Sequence, residues 1–228
     1  MASIKIHLLN FILAISLSTT SLFAMAGRSI STDSNPAQID HQELTHLIFM
    51  REEEKLARDV YLKLGMMYPN SAVFGKIDDS EQKHTDAVKS IIEKYAYPDP
   101  NTNDNIGIYT GKDFGWYFTE KYNLLVGRAS ISELEALYVG AFIEELDMMD
   151  IKQCPKVIIE TDININDISE CGKIYSENPD IQNLYDSLLA GSDSHLAAYV
   201  KNIEMTIGEG NYQAQVLSQN EVNKLLDR

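Results

Sequence analysis

Four segments of the chain carry the same interrupted stripe. Counting in alternating steps of three and four, the first reads Leu47, Met50, Glu54, Ala57, Tyr61 and Leu64, and the second reads Phe74, Ile77, Glu81, His84, Val88, Ile91 and Tyr95. The third gives Leu134, Leu137, Ala141, Glu144, Met148 and Ile151, and the fourth Ile181, Tyr185, Leu188, Ser192, His195, Tyr199 and Asn202. Such spacing puts every member on one face of an α-helix. Four faces of this kind are buried by packing against one another, so the fold class expected is all-α, a four-helix bundle. The stripes are apolar at their ends and polar near the middle, which sends three carboxylates and two imidazoles into the bundle interior.

That placement has a chemical consequence. An uncompensated buried carboxylate costs several kcal/mol or takes up a proton, and carboxylates gathered at one level repel each other. Divalent cations relieve both penalties, and bundle interiors are where such sites are built. Taken singly, each residue has a plainer explanation. Glu81 and His84 are an i,i+3 pair of a kind common on solvated faces, Glu54 or Glu144 could lie on a slightly rotated helix, and His195 could be a satisfied core histidine. Their conjunction in one seam favours a metal site over these.

The remaining elements follow from caps and breakers. Asp40 with Glu43 forms a capping box that opens a helix to about Leu64. A second helix runs from about Ala72 to Tyr95, ahead of Pro98-Asp99-Pro100. The stretch Asn101–Lys112 reads as a loop, and a short extra helix covers about Asp113 to Leu125. Ser130 and Glu133 offer the box for a third long helix, to about Ile151. Residues 152–177 read as an irregular connection in which Val157-Ile158-Ile159 is a short strand or a buried loop patch. Pro179 suits the first turn of a helix from about Asp180 to Met205, and Ser218 with Glu221 caps a short C-terminal helix, Asn220–Leu226.

At the N-terminus, Lys5, the apolar run Leu8–Leu17 and Ala24-Met25-Ala26 read as a secretory signal cleaved after Ala26. Residues 27–39 read as a disordered leader and 40–228 as one helical domain. No other stretch is apolar enough for a membrane span, so the exported chain, secreted or periplasmic, is expected to be soluble. Its formal net charge of −15 becomes −16 once Lys5 is removed, which argues against nucleic acid as a partner. The two cysteines, Cys154 and Cys171, favour a structural disulfide in an exported chain. With no Cys-x-x-Cys pair, a rubredoxin or zinc-ribbon module is excluded.

The run Glu54-Lys55-Leu56-Ala57-Arg58-Asp59-Val60-Tyr61 resembles the Glu-x-x-Ala-x-x-x-Tyr signature of the rubrerythrin group, and Glu81-Gln82-Lys83-His84 matches the second-helix Glu-x-x-His of the ferritin-like superfamily. Through Arg51–Tyr61, Ser80–Tyr95, Gly140–Ile151, Gly191–Val200 and Tyr212–Glu221 the chain more closely resembles the ferritin-like family filed as domain of unknown function 2202 (DUF2202). The resemblance spans about residues 40–225. It implies that Glu54 and His84 bind a first metal, that Glu81 and Glu144 bridge, and that His195 binds a second. Glu144 is preferred to Glu145 because it alone falls on the stripe. Tyr61 is expected near the metals as a hydrogen-bond donor or redox-active phenol.

One position departs from the pattern. Where a fourth-helix Glu-x-x-His is expected, the chain has Ser192-Asp193-Ser194-His195, which leaves the second metal short of a carboxylate. Asp147, one turn beyond Glu144, is the candidate to replace it. Oxygen-rich Glu/His ligation suits two iron ions, with manganese an alternative, better than zinc or copper. The activity the resemblance implies is oxidation of ferrous ion or reduction of peroxide, with dioxygen or hydrogen peroxide as co-substrate. The electrons would come from a donor that the sequence does not identify, or from Fe(II). A homodimer is also an expectation. The alternative is an exported metal-binding or structural helical protein without turnover; a storage cage is disfavoured because nothing marks cage contacts.

Overall fold

The computed structural model describes residues 38–228, so the expected signal peptide and nearly all of the leader lie outside the described residues. The described chain is all-α. It comprises α1 (His41–Met67), α2 (Phe74–Lys94), α3 (Gly115–Ala129), α4 (Glu133–Lys152), α5 (Lys156–Thr161), α6 (Pro179–Ile207) and α7 (Gln219–Leu225), with no strand among the described residues. No helix among them is long and apolar enough to cross a membrane.

Local chemistry sets the helix ends. Asp40 accepts the Glu43 N–H at 2.8 Å and Glu43 accepts the Asp40 N–H at 3.2 Å, closing the capping box that starts α1. Ser218 and Glu221 do the same for α7, and Pro179 opens α6 behind an Asn178 cap. The start of α4 differs from expectation. Its cap is Ser132, which is extended and accepts the Glu135 N–H, whereas Ser130 ends α3 and donates its hydroxyl to Gly127 O. The expected leader also ends earlier, because Ile39 is already buried in the core.

The long helices pack as two pairs, α1 with α2 and α4 with α6. The pairs meet where α2 touches α6 and α1 touches α4, and α3 lies against α1 and α4. The stripes form the seam between them: all six α1 positions are buried, as are Ile77, Glu81 and Val88 on α2 and Ile181 to Tyr199 on α6. In the connection between α4 and α6, Val157-Ile158-Ile159 is part of the helix α5, not a strand. Val157 and Ile158 are buried there, and the Cys154–Cys171 disulfide closes the segment.

The outer face of α1 is the largest departure from a simple amphipathic helix. Arg51, Glu52, Lys55, Arg58 and Asp59 are all buried, because the connection between α2 and α3 crosses over them. The charges are matched inside. Arg51 donates to both oxygens of Asp99 at 3.1 and 3.0 Å, Lys55 donates to Asp59 at 2.5 Å, and Arg58 donates to Asp59 at 2.8 Å. Asp59 also accepts the Gly107 N–H and Glu52 the Gly111 N–H. The chain can pass this close because residue 111 is glycine; a Cβ there would lie 2.3 Å from Glu52 Oε1. Pairing of this kind offsets the cost of burying five such groups on one helix.

Candidate metal centre

Four helices each send the polar middle of their stripe into a common seam. Glu54 comes from α1, Glu81 and His84 from successive turns of α2, Glu144 from α4 and His195 from α6. Two ligand triads result, Glu54–Glu81–His84 and Glu81–Glu144–His195, and within each the donor atoms lie within 4.8 Å of one another. Glu81 is common to both. Its Oε2 lies 3.0 Å from His84 Nδ1 and its Oε1 lies 2.6 Å from His195 Nδ1. Glu54 Oε2 is 3.4 Å from His84 Nδ1, and Glu144 Oε1 is 3.5 Å from His195 Nδ1. Of the two carboxylates expected to bridge, then, only Glu81 belongs to both triads.

The donor set fits a pair of divalent cations. Three of its buried atoms (Glu54 Oε1, Glu81 Oε1 and His195 Nδ1) lack a hydrogen-bond partner, although carboxylates and imidazoles converge on them. Glu81 Oε1 and His195 Nδ1 approach to 2.6 Å as an ion pair whose angles depart from hydrogen-bond geometry. Carboxylate oxygen and imidazole nitrogen are the donors that iron and manganese accept.

Electrostatics gives the same picture. Burial raises Glu54 and Glu144 to about 7, with Glu81 among the charges that add to the rise. Burial opposes charge on the histidines, but the carboxylates facing them outweigh it. His84 rises to about 11 through Glu54 and Glu81, and His195 to about 10 through Glu144 and Glu81. Burial likewise works to raise Glu81, yet its bonds to His195 and His84 hold it below the usual carboxylate range. Protons thus take the place that cations would fill, and a metal would bind in exchange for them.

Neighbouring groups hold the donors in place. Tyr61 donates its hydroxyl to Glu144 Oε1 at 2.6 Å, and its ring lies 5.5 Å from that of Tyr199. Glu145, adjacent to Glu144, points elsewhere. It accepts from Tyr212 OH and from the backbone N–H groups of Gln215, Val216 and Leu217 at 2.6–2.9 Å. Asp147 is buried and accepts the Ser192 hydroxyl at 2.5 Å, but belongs to neither triad. Gly191 gives His84 its room, since a Cβ there would lie 2.4 Å from His84 Nε2. The side chains of His84 and His195 are 12 % and 11 % exposed while the three carboxylates are almost fully enclosed, so the edge between α2 and α6 is the side nearest solvent.

A second buried layer beside the site went unread in the sequence. Glu53 and Asp150 lie together in the interior, and burial raises both, Asp150 to about 7. Their signal was position, since Glu53 precedes Glu54 and Asp150 follows Asp147 by one turn. His46, also buried, bonds Tyr185 OH at 2.6 Å and Asp150 O at 2.8 Å and is a satisfied core histidine.

Comparison with known proteins places the chain. It is 40 % identical over 188 residues to the uncharacterized protein MJ0754 of Methanocaldococcus jannaschii, covering 82 % of this chain and 88 % of that one. The crystal structure of the hypothetical protein MJ0754 superposes with a TM-score of 0.68 at 38 % identity, over 83 % of this chain and 94 % of that one. Residues 43–164 and 156–228 match the family described as uncharacterized protein domain (DUF2202), and the chain belongs to that family.

Proposed function

We propose that the chain is an exported ferritin-like protein that holds a dinuclear iron centre, manganese being the alternative metal, and reacts with dioxygen or hydrogen peroxide as a ferroxidase or peroxidase. The observation that carries this reading is the pair of triads sharing Glu81, with donor atoms left unpartnered in the bundle interior. Export rests on the signal sequence ending at Ala26.

Iron held there would supply one-electron redox chemistry toward oxygen species. The protein's own contribution is to position and enclose. Glu81 spans the two positions, Glu54 with His84 and Glu144 with His195 hold the ends, and burial keeps bulk water from the carboxylates. Tyr61, bonded to Glu144, fixes that carboxylate and is placed to hold or pass a proton at Glu144 Oε1. The electron donor is Fe(II) itself or a separate redox protein, because the chain has no cysteine motif for a second redox centre.

Stopped-flow mixing of the Fe(II)-loaded protein with dioxygen or peroxide tests the reading. It predicts Fe(II) loss faster than in buffer and faster than with Glu81→Ala. Equal rates would leave the second reading, an exported metal-binding protein without turnover. That reading draws support from Ser192, which stands where the resemblance leads one to expect a carboxylate.

A further inference from the structure

The sequence assigns Asp147 to the second metal as a substitute for the carboxylate missing at Ser192. The structure points the other way. Tyr61, on α1, donates to Glu144 and approaches Gly140 O, while His46, earlier on α1, bonds Asp150 O, later on α4, so the two helices run antiparallel with Tyr61 level with the turn from Gly140 to Glu144. Glu54 lies two turns earlier on α1 and therefore toward the Asp147 side of Glu144. The α6 helix gives the same register independently. His195 meets Glu81 and Glu144, whereas one turn earlier Gly191 packs directly under His84. Ser192, the next residue, donates to Asp147. Asp147 and Ser192 thus share a level with Glu54 and His84, not with Glu144 and His195.

Asp147 is also incomplete as it stands. Its Oδ2 takes the Ser192 hydroxyl, but Oδ1 is buried without a hydrogen-bond partner. A buried, half-satisfied carboxylate is costly unless something neutralises it.

Building on the dinuclear reading above, we propose that Asp147 Oδ1 is a ligand of the ion held by Glu54 and His84, and that Ser192 is a positioning residue that anchors the other oxygen of the same carboxylate. The two metal positions are then unequal. One has four protein side chains, Glu54, His84, Glu81 and Asp147. The other has three, Glu81, Glu144 and His195, and is the more open. The serine does not impair the second position; it serves the first.

Co(II) titration of the metal-free full-length protein, followed by visible absorption with a competing chelator, tests this. Wild type is expected to show a tight and a weak step. Asp147→Asn should weaken the tight step by more than tenfold and leave the weak step unchanged. Ser192→Ala should weaken the tight step by roughly tenfold, the size of effect usual for a group that orients a ligand, and should alter its absorption spectrum, while Ser192→Thr, which keeps the hydroxyl, should preserve both. His195→Ala should remove the weak step only. A crystal of the Mn(II)-loaded wild type gives a readout that does not depend on the variants folding, with Asp147 Oδ1 expected within bonding distance of the ion beside His84. Asp147 bound to the ion beside His195, or to neither, overturns the assignment, as does an Asp147→Asn variant with an unchanged tight step. A wild-type protein that takes up no metal overturns the dinuclear reading and this assignment together.

Discussion

Glu81 presents one carboxylate oxygen 2.6 Å from His195 Nδ1 and the other 3.0 Å from His84 Nδ1. Helices α2 and α6 therefore meet on a single side chain, and Glu54 from α1 and Glu144 from α4 complete the two triads it joins. Removing that carboxylate breaks both triads at once, whereas removing Glu54 or Glu144 breaks only one.

Adjacent glutamates on α4 provide a sharp contrast. Glu144→Gln should cost one metal ion per chain and leave the fold intact. Glu145→Ala should leave metal content unchanged but destabilise the protein by about 2–4 kcal/mol, because it strands the Tyr212 hydroxyl and three backbone N–H groups. Metal analysis with denaturant unfolding of both variants checks this, and the reverse pattern would show that the wrong glutamate faces the seam.

Gly191→Ala probes the packing beneath His84. The added methyl would lie 2.3 Å from His84 Cε1, so the ring must move away from Glu54 and Glu81. Metal affinity at the His84 position should fall at least about tenfold, while the far-ultraviolet spectrum stays helical. Unchanged affinity would mean that α6 does not fix the ring.

The metal-free protein should lose stability as pH rises through neutrality. Glu52, Glu54, Glu144 and Asp150 rise to about 7 in the fold, mainly through burial. Between their unfolded values near 4 and pH 7 the native state keeps protons that the unfolded chain releases, so stability is greatest at the acid side of that window and declines above it. His84 and His195, raised by their carboxylate partners despite burial, add stability that is complete below about pH 6.5 and lost through about pH 10–11. His46 opposes them on the acid side. Burial lowers it to about 4, so it costs stability as pH falls from about 6.5 toward 4. The chelated protein should therefore melt roughly 5–10 °C lower at pH 8.5 than at pH 6. Saturating metal should remove the share of that decline that comes from Glu54, Glu144, His84 and His195, because cations replace their protons, and leave the share of Glu52 and Asp150. Calorimetry at the two pH values tests the sign, and a chelated protein that gains stability toward pH 8.5 would contradict it.

The Cys154–Cys171 bond spans 17 residues and ties the connection between α4 and α6. Reduction should cost about 3 kcal/mol and leave metal content unchanged, since neither cysteine is a member of a triad. Loss of metal on reduction would place the connection in the site's support.

Residue by residue, the sequence revealed more of the seam than of what surrounds it. The alternation of three and four placed Glu54, Glu81, His84, Glu144 and His195 in one seam, because a helix converts spacing directly into direction. It separated Glu144 from Glu145 for the same reason. It did not show that Arg51 to Asp59 are buried on every side. That depends on the path of residues 97–112 over α1, and a run such as Arg51-Glu52-Glu53-Glu54-Lys55 has the composition of a solvated face. Nor could spacing assign Asp147 to one metal or the other. One helical turn separates the two levels, and only the packing of Gly191 under His84 shows which of them Ser192 occupies.

Metal content of the mature protein, purified without chelators and measured by plasma emission against protein concentration, tests the central claim most directly. About two iron or manganese ions per chain, lost together in Glu81→Ala, is the predicted result. A wild-type protein that carries none, and takes up none when Fe(II) or Mn(II) is supplied, would contradict it.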